Sequence, residues 1–288
     1  EGKPVNIPDI YPMTYMTDIL KWCERNGKTY WEYVIEYERD STLTDFLKKI
    51  WDTMKEEVKR GLEKEGRLPG PLNLPRKAAH YHIKALGYQH TLRSRGLVFS
   101  YALAVSEENA SGNVVVTAPT CGSSGVLPAV LYHLWKNYEF SEIRILRALA
   151  TAALVGNIAK TNASISGAEV GCQGEVGVAC AMAAAAACQL FGGSPAQIEY
   201  AAEMALEHHL GMTCDPVCGL VQIPCIERNA FAAARAMDAN IYATFTDGTH
   251  RVSYDKVVET MNKTGRDLPF LYKETSEGGL AINYKQMQ

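Results

Sequence analysis

The sequence predicts an all-α fold, a compact multi-helix domain built around a buried pair of small-residue helices. Apolar residues recur at helical spacing through most of the 288 residues. Two alanine-rich stretches, Ala148–Ala153 and Ala179–Ala187, carry side chains small enough for close helix approach, so their helices are expected to cross at the centre. Strand candidates are too few for a Rossmann or TIM architecture, the best being the short run Val114–Thr117.

Taken in order, residues 1–12 hold three prolines and no periodicity, which suggests an extended arm. Two short amphipathic helices follow within Thr14–Asp40, broken near Asn26-Gly27. Ser41-Thr42-Leu43-Thr44 can cap a longer helix, with Phe46, Leu47, Ile50, Trp51, Met54, Val58 and Leu62 on its apolar face. The loop 66–75 carries three prolines and two glycines. Pro75 can start a helix that Gly87 ends. Further helices are expected over Thr91–Asn109, Leu127–Asn137, Ser141–Ile158, Gln173–Phe191, Pro195–Leu210, Pro224–Phe245 and Ser253–Lys263, with Ser141, Ser194 and Ser253 as N-caps. The tail Gly265–Gln288 contains Glu277-Gly278-Gly279-Leu280 and reads as irregular and mobile. Residues 1–65 are expected to be an arm and helices packed on the core, and residues 66–288 the site-bearing unit, together one globular body.

Composition narrows the function. Hydrophobic content of 47% and charged content of 21% are ordinary for a globular protein. A net charge of −3 leaves no basic footprint for nucleic acid. No apolar run reaches the 18 or so residues of a membrane span. The start, Glu1-Gly2-Lys3-Pro4, is not a signal peptide and lacks an initiator methionine, so a fragment or processed form is expected. Eight unevenly spread cysteines do not make a disulfide scaffold, and reduced thiols in a cytoplasm are expected.

Cys172, Cys214 and Cys225 each fall where a helix should begin or end. Gly171 and Gly174 flank the first and let backbone crowd a bulky group. Pro216 and Pro224 stiffen the loop between the other two. Separations of 42 and 11 residues match neither the common zinc signatures nor the ferredoxin run, so spacing leaves iron–sulfur ligation, zinc and plain buried thiols all open. A pyridoxal phosphate enzyme is a weaker alternative. Lys160 would be its Schiff-base lysine and Gly122-Ser123-Ser124-Gly125 its phosphate cradle, but the alternating strands are missing.

The blocks Ser164–Gly177, Ala205–Pro216 and Gly219–Asn229 resemble the iron–sulfur-dependent L-serine dehydratases, specifically their α chain or domain. Glu107–Gly112, Thr117–Thr120, Lys273–Ser276 and Gly278–Ala281 look like the same pattern. The resemblance implies an all-helical domain holding a 4Fe-4S cluster through Cys172, Cys214 and Cys225, with the fourth iron open to substrate. It implies β-elimination of water from L-serine, giving pyruvate and ammonia. The open iron would act as Lewis acid on the hydroxyl while a base takes the α-proton. Threonine or cysteine would suit the same chemistry, and a non-catalytic zinc or cluster scaffold or redox sensor is the contrasting class.

His208 and His209, at a helix end near Cys214, and Lys160 are the candidates for proton transfer. Thr117, Thr120, Ser123, Ser124 and Asn162 are candidates for holding substrate, and Arg95 and Arg228 are further anion candidates. Glu169 and Glu175 flank Cys172 and read first as salt-bridge partners. The chain departs from the family pattern at Cys121, where asparagine is expected, and at Cys218, where glycine is. It has no C-terminal cysteine of the kind by which some members reach the cluster. The family's β part carries a Ser-Ser-His-Thr motif that is absent here, so the chain looks like the α half, needing a β chain or domain as partner. A homo-oligomer is also expected.

Overall fold

The computed structural model describes residues 10–286. The arm expected over residues 1–12 lies largely outside the described residues. Thirteen α-helices and no strand occur among those residues: α1 (Met16–Asn26), α2 (Tyr30–Glu38), α3 (Leu43–Glu63), α4 (Ala78–Gly87), α5 (His90–Ala110), α6 (Val126–Tyr138), α7 (Glu142–Asn162), α8 (Gly167–Val170), α9 (Val178–Leu190), α10 (Pro195–Glu207), α11 (Cys225–Thr244), α12 (Tyr254–Asp267) and α13 (Gly279–Gln286).

The fold is wound around α9. Every residue from Val178 to Cys188 is buried, so this helix has no polar face. α6, α7, α10 and α11 surround it, and α7, the other alanine-rich helix, lies directly against it. Thr151 of α7 hydrogen-bonds Gln189 of α9, satisfying a polar pair inside the apolar crossing. The expected central pair is therefore present. The α1–α3 helices pack on this body through Met16, Ile19, Tyr33, Trp51, Met54 and Val58, all continuous with the main core. On α3, Phe46 is exposed although it falls on the apolar spacing.

Close backbone approach is decisive where α3 crosses α5. A Cβ built at Gly61 would lie 2.3 Å from the Ala104 carbonyl oxygen, 2.6 Å from its carbon and 2.8 Å from its Cα. Only glycine fits there.

Several termini differ in detail from the expectation. Ser194 forms a full capping box with Gln197, and Ser253 accepts from the Lys256 N–H, as expected. Ser141 makes no side-chain cap. Pro75 pairs with Arg67 in an isolated bridge, and α4 begins later, at Ala78. Its first N–H groups are satisfied from α5: Glu107 Oε1 accepts from Lys77 N at 2.6 Å and Ala78 N at 3.2 Å. The tail is irregular over residues 273–278, between a 3₁₀ turn at Phe270–Tyr272 and α13.

Val114–Thr117 is extended but forms no strand. Side chains of α3 take the backbone groups that a partner strand would have used: Arg60 Nη2 donates to Val114 O at 2.6 Å, and Val116 N donates to Glu57 Oε2 at 2.7 Å. Glu57 is fully buried, and burial pushes its carboxyl up to about 8, against partial relief from the Val116 N–H and Arg60. The folded chain thus keeps a proton that the unfolded chain releases above about 4.5. Stability from this residue is present below that pH and is lost as pH rises toward about 8, at up to roughly 1.4 kcal/mol per pH unit. Glu57→Gln, which keeps an acceptor for Val116, should flatten the urea-denaturation stability profile in that window. Other shifted groups keep some slope in that window, among them Glu107 and Glu203, which burial pushes up to about 7 and about 8. An unchanged slope in the variant would show that Glu57 ionises freely.

Candidate metal centre

The site is assembled from three backbone irregularities. α8 ends at Gly171, whose φ of +75° turns the chain and whose missing Cβ would sit 2.6 Å from Met212 O. Cys172 then opens a π-turn, Gln173–Gly177, leading into α9. Such wide turns recur at functional sites because they aim a side chain that a regular helix would carry elsewhere. Here the side chain is Glu175.

Cys214 comes from the loop after α10. Its N–H donates to Tyr272 O at 2.8 Å and its carbonyl accepts from Glu274 N at 2.6 Å, so the tail holds it from both sides. Cys172 Sγ and Cys214 Sγ each reach Glu175 Oε2 at 3.8 Å, and one ligand atom from each of the three residues lies within 4.8 Å of the others. Cys225, the first residue of α11, is buried just outside that group.

The second carboxylate oxygen of Glu175 is also held. Thr120 Oγ1 donates to Glu175 Oε1 at 2.8 Å. Two glycines form a cradle around this carboxylate. A Cβ at Gly167 would lie 2.5 Å from Oε2 and 3.0 Å from Cys214 Sγ, and one at Gly122 would lie 3.0 Å from Oε1. Asn229, one turn after Cys225, ties the remaining parts together. Its Nδ2 donates to Gly122 O at 2.7 Å and Cys225 O at 2.8 Å, while its Oδ1 accepts from Gly125 N at 2.9 Å.

The electrostatics are unfavourable for anions without a cation. The Cys172 hydrogen bond and burial raise the Cys214 thiol well above the ordinary range. Burial, then the neighbouring Cys172, pushes Cys225 up to about 12. Burial also raises Glu175. Among the described residues Glu175 makes no ion pair, contrary to its first reading as a salt-bridge partner. Two buried thiols and a carboxylate whose ligand atoms lie within 4.8 Å of one another suit a thiophilic metal or cluster, whose charge would favour the thiolates.

The other sequence candidates are dispersed. Ser123 is buried and contacts Thr120 Oγ1 at 3.1 Å, and Ser124 is buried beside it. Thr117 is exposed at the start of the same loop. His209 is buried, and its Nδ1 donates to Ala205 O at 2.7 Å, which leaves Nε2 as the basic nitrogen. Burial lowers its pKa to about 4. His208 is exposed and its Nδ1 bonds Met204 O at 2.8 Å. Lys160 is exposed on α7, in a groove lined by Tyr11 and Glu38. Asn162 donates to Thr14 O at 2.6 Å and Ile158 O at 3.0 Å, ending α7. Arg95 pairs with Asp238 at 2.7 Å, and Arg228 braces the Cys214 loop through Thr213 O at 2.7 Å. Cys121 and Cys218 are both exposed. Cys218 has a φ of +56°, the left-handed region that favours the glycine expected there.

A family model described as "Serine dehydratase alpha chain" matches residues 19–281. The chain belongs to the serine dehydratase alpha chain family. It is 47% identical, over 95% of its length, to an L-serine dehydratase of Streptomyces coelicolor, and covers 61% of that protein. It is 46% identical over 98% of its length to an L-serine dehydratase of Haemophilus influenzae, covering 64% of it. It is 48% identical over 92% of its length to L-serine dehydratase TdcG of Escherichia coli, covering 60% of it. The chain thus spans less than two thirds of the length of these relatives. No helix among the described residues of this alpha chain is long and apolar enough to cross a membrane.

Sequence reasoning missed Asn229 and gave Glu175 only its ordinary role. The signal for Glu175 was its place three residues after Cys172, in a glycine-flanked segment.

Proposed function

We propose that this chain is the metal-binding part of an enzyme that eliminates water from L-serine to give pyruvate and ammonia. A 4Fe-4S cluster would be held by Cys172, Cys214 and Cys225. The observation that carries the proposal is the convergence of the buried Cys172, Cys214 and Glu175 within 4.8 Å, in a chain of this family. When bound, the cluster supplies a Lewis-acidic iron for the hydroxyl leaving group.

The chain's own residues do the positioning. Thr120 and the two glycine gaps fix Glu175, and Glu175 spaces the two thiols. Thr120, Ser123 and Ser124, on a turn tied down by Asn229, form the wall proposed to receive the serine carboxylate. His209, buried with its Nδ1 proton committed to Ala205, is the proposed proton acceptor. His208 and Lys160, both exposed, are assigned no step. The remaining groups needed for turnover, and any self-association, are assigned to the portion of the relatives that this chain does not span.

A single zinc ion is the second reading, because the 4.8 Å grouping of two sulfurs and one carboxylate oxygen is compact enough for one ion. Anaerobic reconstitution separates the two. About four irons and four sulfides per chain support the cluster, and one zinc with no visible absorbance supports the other. The activity is tested by adding the remaining portion of a full-length relative and assaying pyruvate from serine, threonine and cysteine. Absence of pyruvate from all three would overturn the elimination chemistry.

Thr120→Val tests the positioning role. It keeps shape but removes the donor to a buried carboxylate, a loss of roughly 1–3 kcal/mol at such a site. Metal affinity should fall about 10–100-fold, as for other outer-shell partners. Competition titration against a chelator measures it, and parental affinity in the variant would remove Thr120 from the site.

A further inference from the structure

A cavity of about 340 Å³ opens behind the Pro224–Glu227 segment, between the loop 66–75, the start of α4, α11 and α13. Leu68, Leu74, Ile223, Ile226 and Leu280 give it aliphatic walls, and the partly exposed Lys77–Glu227 ion pair, at 2.7 Å, also lines it. Two buried polar side chains also line it. Glu107 is 1% exposed and Gln222 is 4% exposed. Glu107 Oε1 is committed to the α4 N–H groups, and Gln222 Nε2 donates to Pro69 O at 2.9 Å. That leaves Glu107 Oε2 and Gln222 Oε1 buried, with no hydrogen-bond partner.

Such orphaned acceptors are rare in native interiors, because each costs about 1–3 kcal/mol. Both need donors, and one carries the charge of a carboxyl. A lone water would satisfy them but would leave most of an aliphatic cavity of this size empty. A hard metal cation takes six or more oxygens, and the aliphatic walls do not offer them.

We infer that this cavity binds a small molecule carrying a primary ammonium group on a compact apolar body. The ammonium donates to Glu107 Oε2 and Gln222 Oε1, and the alkyl part fills the space against Leu68, Ile226 and Leu280. Burial pushes the Glu107 carboxyl up to about 7 despite the Lys77 and Ala78 N–H groups and the nearby Arg76 and Lys77 charges, and a further cation in contact with Oε2 would favour its charged form. The occupant would rest on the turn before Cys225 and on Leu280, whose N–H donates to Asp215 Oδ2 at 2.6 Å, next to Cys214. This inference does not depend on the proposed elimination chemistry or on the metal.

Isothermal titration of the chain with 3-methylbutylamine, 3-methylbutanol and 3-methylbutanoate tests it. The amine should bind saturably and raise Tm, and the alcohol and the acid should bind at least tenfold more weakly. Glu107→Gln and Gln222→Leu should each lower amine affinity about tenfold or more. Leu280→Trp, at a part-exposed wall position away from both acceptors, should block the cavity while leaving the fold intact. The inference fails if the amine does not bind, if the alcohol binds as well, or if Leu280→Trp binds like the parent. It also fails if a crystal soaked in amine shows only waters on the two oxygens.

Discussion

Cys214→Ser is expected to leave the anaerobically reconstituted chain with less than about one tenth of the parent's iron. Activity in the assembly with the remaining portion should fall by more than the about 10–100-fold typical of outer-shell changes, since a direct donor is lost. The substitution changes chemistry more than shape. Cys214 is anchored through its backbone, with Tyr272 O on one side and Glu274 N on the other, so serine keeps the loop in place. What is lost is a soft, polarisable donor, and a hydroxyl in the same pocket does not ionise to replace it. Far-ultraviolet circular dichroism and the apo-chain Tm should be close to the parent's. Retention of a full iron and sulfide complement would show that Cys214 is a packing residue, and the proposal for the centre would then fail.

Gly61→Ala is expected to be strongly destabilising. The added Cβ meets backbone atoms of Ala104, the nearest at 2.3 Å, and backbone in the middle of a helix cannot rotate away. Overpacking costs about 1–3 kcal/mol when side chains absorb it. Here α3 must separate from α5, so a loss of about 3 kcal/mol or more is expected. At roughly 2–4 °C per kcal/mol for a chain of this size, Tm should drop by about 6–12 °C. Gly87→Ala is the control, because nothing lies within 4 Å of its Cβ position and its backbone is helical. That variant should be neutral or slightly stabilised through helix propensity. Equal Tm values for the two variants would mean that the α3–α5 contact is loose.

The parts legible in the sequence are those where one residue's chemistry decides the outcome. The buried α9 was legible because Ala179–Ala187 offers no polar face. The breaks at Gly27 and at loop 66–75 were legible because glycine and proline punctuate locally. The caps at Ser194 and Ser253 follow the same local rule. What escaped depends on distant partners. Val114–Thr117 has strand composition, yet Glu57 and Arg60 satisfy its backbone. α4 starts later than Pro75 because Glu107, on another helix, caps it. At the candidate centre, the positions of Cys172 and Cys214 were marked by flanking glycine and proline. The role of Glu175 was hidden, since it needs the π-turn, the Thr120 hydroxyl and the gaps at Gly122 and Gly167 to exist together.

The pairing of Cys214 with the Tyr272–Glu274 segment has a consequence for biosynthesis. While the chain emerges from the ribosome, Gln173 of the π-turn must wait for Met261 O, and the loop bearing Cys214 has no backbone partner until the tail is made. Ser276, whose hydroxyl donates to Pro216 O at 2.6 Å, and Leu280, bonded to Asp215, are made later still. Delivery of any metal to the two thiols together must therefore wait until translation has passed these residues. A chain stalled on the ribosome before residue 272 would carry an unfinished site.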